Sequence, residues 1–236
     1  MLMVRSCVPV LAAGVLSASA GAAIIPSVET FSTGPANWRR ADGLLSPNWQ
    51  ANAGPGNAPF IGTSMNFVDN PAGSQITLLR AEDNFSGGPS SNGQFFGNWI
   101  AGGASAVSFS VFQNTGVDLP LFLRIARSTT NPAGTTGTIA SPLPAVPSGV
   151  WTTITIPLVY SQSNWVNEGA PNPAFFNTVL SSVGRLQIGI LPLPASLANT
   201  NVTYQFNIAD VRLIPTPSAA AVLGLAGLFA TRRRRR

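Results

Sequence analysis

The chain has 236 residues and a formal net charge of +5, with no lysine, no histidine and a single cysteine, Cys7. That inventory excludes Ser-His-Asp, Cys-His and serine–lysine catalytic arrangements, and imidazole or thiolate metal sites. The charge is also misleading: five arginines form the terminal run and Arg5 lies near the N-terminus, leaving seven arginines against eight carboxylates. A slightly acidic body excludes a nucleic-acid-binding one.

In chain order, one positive charge at Arg5 precedes an apolar stretch from Cys7 to Leu16. Ala18-Ser19-Ala20 follows as a small-x-small cleavage site, with Ala20-Gly21-Ala22 as an alternative. This is the layout of a signal peptide over 1–23, with signal peptidase as the partner it requires; a buried N-terminal helix is the competing reading. The body, 24–213, reads as strands and turns. Val107, Phe109 and Val111 alternate with Ser108 and Ser110, and 150–156 and 202–208 alternate in the same way. Segments 75–81, 119–127 and 185–191 are further β-rich runs, separated by Gly/Pro/Asn/Ser clusters at 52–59, 86–93 and 131–137. Residues 172–182 carry Phe175, Phe176, Val179 and Leu180 at helical spacing and predict one short helix. No internal repeat divides the span, and many short period-two strands predict a single all-β, antiparallel β-sandwich.

The C-terminal segment, 214–236, opens on Pro215, Thr216 and Pro217, and continues through an uncharged Ala/Leu/Gly stretch to Thr231. It ends on Arg232, Arg233, Arg234, Arg235 and Arg236. Fourteen residues of helix from Ser218 span about 21 Å at ~1.5 Å per residue, short for a hydrocarbon core of roughly 30 Å. Arginines that stay on the cytoplasmic side would orient such a helix. Proline motif, short apolar helix and arginine cluster together resemble the PEP-CTERM sorting tail. The resemblance covers 215–236 and departs from the family pattern at Thr216, where glutamate is expected. It implies recognition by an exosortase, transient anchoring in the inner membrane, and an exported protein of the cell envelope or extracellular surface. A tail anchor that is never cut is the alternative.

An early strand at 29–33, a later strand, a short helix and two closing strands, the last at 208–213, resemble galactose-binding-like jelly rolls. Such folds occur in carbohydrate-binding modules and in other exported surface proteins. In them an acidic residue near the first strand and an aspartate in the last often share a structural calcium; here those positions are Glu29 and Asp210. The alternative is two unrelated carboxylates, with Asp210 paired to an arginine. Glu82 and Asp83 read as solvated turn residues, and no carboxylate spacing identifies an enzyme. Phe95-Phe96-Gly97-Asn98-Trp99 and Ser163-Asn164-Trp165 mix aromatics with amides, the chemistry of a sugar platform. Trp99 and Trp165 are therefore candidate ligand residues, with packing as the competing role; Trp38, Trp49 and Trp151 are further candidates. The expected function is that of a structural or adhesive surface protein, or alternatively a carbohydrate-binding module docking a polysaccharide.

Overall fold

A computed structural model describes residues 26–128, 137–161, 163–168 and 172–216. The expected signal peptide, Pro217, the apolar tail and the five terminal arginines lie outside the described residues. No helix among the described residues is long and apolar enough to cross a membrane.

The body is an antiparallel β-sandwich of the jelly-roll kind. Its strands are β1 (Ser27–Glu29), β2 (Arg39–Arg40), β3 (Asn48–Gln50), β4 (Phe60–Met65), β5 (Ile76–Glu82) and β6 (Ala104–Gln113). They continue as β7 (Leu121–Arg127), β8 (Thr138–Pro142), β9 (Thr152–Pro157), β10 (Val166–Asn167), β11 (Val183–Ile190) and β12 (Tyr204–Pro215), with helix α1 (Pro173–Leu180) before β11. Among the described residues the first sheet runs β3-β4-β12-β6-β9, with β1 also paired to β12, and the second runs β10-β8-β7-β11-β5-β2.

Alternation decides what faces the core. Val107, Phe109 and Val111 of β6, Ile154 and Ile156 of β9, and Phe206 and Ile208 of β12 point inward and are buried. Leu123 and Ile125 of β7 and Leu186, Ile188 and Ile190 of β11 meet them from the second sheet. Because side chains on a strand alternate in direction, the residues between these form the two outer faces.

Helix α1 forms as expected. Asn172 caps it, its Oδ1 accepting from Phe175 N at 2.8 Å, and Pro173 sits in the first turn, where a missing N–H costs nothing. Phe176, Val179 and Leu180 are its buried stripe.

Strand β12 is longer than expected. It runs past 213 through Ile214, opposite Ala106, and Pro215, opposite Ala104. The proline motif therefore begins inside the last strand, and Thr216 donates both its N–H (2.7 Å) and its hydroxyl (3.0 Å) to Gly103 O.

Candidate functional site

The predicted sugar platform is overturned. Trp99 is fully buried and donates its Nε1 proton to Phe95 O at 2.7 Å. Trp165 is 1% exposed, donates to Pro157 O at 3.0 Å and packs edge-on against Phe176 with ring centroids 5.4 Å apart. Both are core anchors with their one polar atom satisfied internally, and neither presents a face to a ligand.

The first and last strands do meet, with Glu29 opposite Val211 and Ser27 opposite Leu213. Paired residues share a face, so Glu29 lies on the side of the buried Val211 and Leu213, where its carboxylate accepts Phe31 N at 2.6 Å. Asp210 occupies a bulge, where the β12–β6 register slips between Ala209 and Arg212, and has a left-handed backbone (φ +54°). Its carboxylate holds Arg212 at 2.7–2.8 Å, and Arg212 lies opposite the exposed Val28 on the outer side. The two carboxylates thus face opposite sides of the sheet. The cation beside Asp210 is Arg212, and the pair is not arranged to share a calcium. No group of three or more potential metal-ligating side chains occurs among the described residues.

Other carboxylates also serve the fold. Glu82, expected in a solvated turn, is 5% exposed at the end of β5. Its Oε1 lies 2.5 Å from Arg185 Nε and 3.4 Å from Arg80 Nε. Glu168 is 2.5 Å from Arg124 Nη2. Asp83 accepts a hydrogen bond from the Ser128 hydroxyl. Asp42 accepts the N–H groups of Leu44 and Leu45, which hold its carboxyl below the usual range. A cleft of about 390 Å³ between the β8 and β9 edges is lined by prolines, Ser141, Thr155 and Asn164 among others, with no titratable side chain.

A different aromatic cluster reaches the surface. The Trp151 ring lies 5.5 Å from that of Phe60 and 5.6 Å from that of Phe112, on the outer face of the first sheet. These separations fall in the range of favourable aromatic pairs, each worth about 0.5–1.5 kcal/mol beyond area burial. Between Phe60 and Phe112 in strand order lies β12, which contributes Asn207 opposite Gly62 on one side and Phe112 on the other. Asn207 occupies the space a Cβ at Gly62 would need, its Oδ1 falling 2.0 Å from that position. It is 4% exposed, and Oδ1 has no hydrogen-bond partner.

The tryptophan N–H groups separate anchor from candidate. Trp38 donates to Ser91 Oγ (2.9 Å), Trp49 to Phe31 O (2.7 Å), and Trp99 and Trp165 as described. Trp151 has no acceptor among the described residues. Amide neighbours single out Trp99 and Trp165 in the sequence, but strand parity is the better signal. Trp151 leads the outward series Trp151, Thr153, Thr155, and Phe112 continues Ser108, Ser110: aromatics on the polar side of an amphipathic strand.

No protein-family model matches the chain, and no curated protein matches its sequence. Among solved structures the fold is similar to that of an exo-β-agarase, at 10% identity and a TM-score of 0.48, covering 80% of this chain and 24% of that one. It is also similar to the L4b domain of human laminin α-2, at 12% identity and a TM-score of 0.47, covering 82% and 99% respectively. A third is the CBM22-1–GH10 module pair of a Clostridium thermocellum endo-1,4-β-D-xylanase complexed with xylohexaose, at 16% identity and a TM-score of 0.43, covering 81% and 28%. The chain thus spans about a quarter of the agarase and xylanase chains. The likeness is one of general fold.

Proposed function

We propose that this chain is an exported surface protein whose sandwich holds a polysaccharide on the outer face of its first sheet, and so adheres to envelope or matrix. The observation that carries the reading is Trp151, a half-buried indole packed edge-on against Phe60 and tilted against Phe112, with its N–H unspent. Sugar rings present apolar C–H faces and polar hydroxyl rims, so an aromatic surface beside a carboxamide suits both. The reading is one of binding, and Glu82, Glu168 and Asp210 are each held by arginine in support of the fold. Trp151→Ala is expected to weaken glycan binding at least about tenfold, or ~1.4 kcal/mol, while the melting transition stays cooperative. Unchanged affinity on a glycan array, measured with the protein recovered from cells, would reject the site.

Export and sorting rest on the two terminal segments. The N-terminal pattern supports removal of the leader by signal peptidase, and the C-terminal pattern supports an exosortase acting on a tail transiently held in the inner membrane. Mass spectrometry of the surface-exposed protein is expected to show a start between Gly21 and Ile24 and an end before Arg232. An intact arginine run on exported protein would leave the tail as an uncut anchor.

A further inference from the structure

We propose that the site on the first sheet selects an uncharged polysaccharide and that Asn207 is the residue that reads its hydroxyls. This rests on the glycan-binding reading and adds the class of ligand. Strand register places Asn48, Ser64, Gln205, Ser110 and Thr153 on the same outer face as Asn207. All are amides or hydroxyls. Of the charged groups there, Arg40 reaches the β3 edge, its Nη2 donating to Asn48 Oδ1 at 3.1 Å. Asp210 and Arg212 neutralise each other roughly 10 and 16 Å further along β12, at ~3.3 Å per residue.

An acidic glycan would have to bring its carboxylate or sulfate against aromatic rings whose nearest cations are already engaged, Arg40 by Asn48 and Arg212 by Asp210, and an unpaired desolvated charge is strongly unfavourable. Arginine is the side chain suited to such anions, yet the arginine that reaches this face from the other sheet, Arg40, does so only at the β3 edge, and most of the others hold partners on the other sheet. Arg80 and Arg185 hold Glu82, Arg124 holds Glu168, and Arg39 bonds Leu44 O, Ser46 Oγ and Ser86 O. A hydroxyl, by contrast, donates one proton and accepts others, and a carboxamide answers both needs.

Asn207 is free to do so. Its side chain is held by packing over Gly62, not by hydrogen bonds, and its terminal torsion is broad and two-fold. It can therefore turn oxygen or nitrogen toward a ligand. Buried polar atoms without partners are uncommon in folded proteins, and this one lies over Gly62 on the strand between those that carry Phe60 and Phe112.

The test uses the mature protein recovered from cells, titrated against neutral polymers (xylan, mannan, agarose) and against polygalacturonate and alginate. Saturable binding to a neutral polymer is expected, nearly unchanged between about 50 mM and about 500 mM salt, because no charge pair is there to be screened. Asn207→Leu should weaken it about tenfold without lowering the melting temperature. If that variant fails to fold, Asn207→Ser removes the carboxamide at smaller volume and must show the same loss. Binding confined to the acidic polymers, and lost as salt rises, overturns the uncharged class while leaving a glycan-binding protein. Binding to none of the polymers overturns the glycan reading itself. Full affinity in both Asn207 variants removes Asn207 from the site.

Discussion

Replacing Glu82 by alanine is expected to destabilise the domain by about 3–5 kcal/mol, the cost of breaking a buried ion pair by removing one partner. Glu82 sits between two guanidinium groups, with Arg185 itself only 9% exposed. Burial already pushes the Arg80 guanidinium below its ordinary pKa, and the charge on Glu82 is the chief opposing influence. Without that carboxylate, Arg80 and Arg185 face each other across a poorly hydrated gap. Domains of this kind are stable by about 5–15 kcal/mol in all, so a urea midpoint would register the loss plainly. Glu82→Gln isolates the charge, since it keeps nearly the same volume. If the glutamine variant melts with the wild type, packing and not charge is what Glu82 contributes.

That site also shows where sequence reasoning reaches its limit. Ala81-Glu82-Asp83-Asn84 looks like a turn, and by local composition it is one. What buries Glu82 is its register opposite Arg185, a residue more than a hundred positions away. Strands β6, β9 and β12 were legible because one face of each is apolar over several alternations, and α1 because cap, proline and stripe coincide. Strands β2 and β10 have two residues each, too few to show any period. They exist because neighbours offer backbone partners, as Arg39 and Arg40 find opposite Arg80 and Leu79.

The tryptophans fail for a related reason. A tryptophan beside asparagine looks alike in a core and at a surface, because the acceptor of its N–H is often a backbone carbonyl. For Trp165 the acceptor is Pro157 O, and for Trp49 it is Phe31 O, 18 positions earlier. Neither could be read from composition. The parity of Trp151 with Thr153 and Thr155 could have been, since it needs only the alternation that identified β9. Asn207 was legible on the same terms: it stands between Phe206 and Ile208, both inward, so its side chain had to point out. What no pattern could supply is the absence of a partner for its amide.

The second large effect separates those two classes of aromatic residue. Trp99→Ala is expected to cost about 3–5 kcal/mol, the range for truncating a buried tryptophan, and Trp151→Ala far less because its ring is only partly covered. Trp99 is enclosed where the loop after β5 returns to β6. Its N–H bonds Leu180 O at 2.9 Å, its carbonyl accepts Ala104 N at 2.9 Å, and its indole satisfies Phe95 O. Truncation would open a cavity and strip the indole donor from a buried carbonyl, and both effects act against the folded state. Calorimetry should show a melting temperature lowered by several degrees or more in Trp99→Ala, with glycan affinity unchanged in the fraction that remains folded. Trp151→Ala should show the reverse, a small shift in melting and a large loss of binding. If Trp99→Ala melts like the wild type and loses the glycan, the ligand lies at the loop end of the sandwich and the outer-face site is wrong.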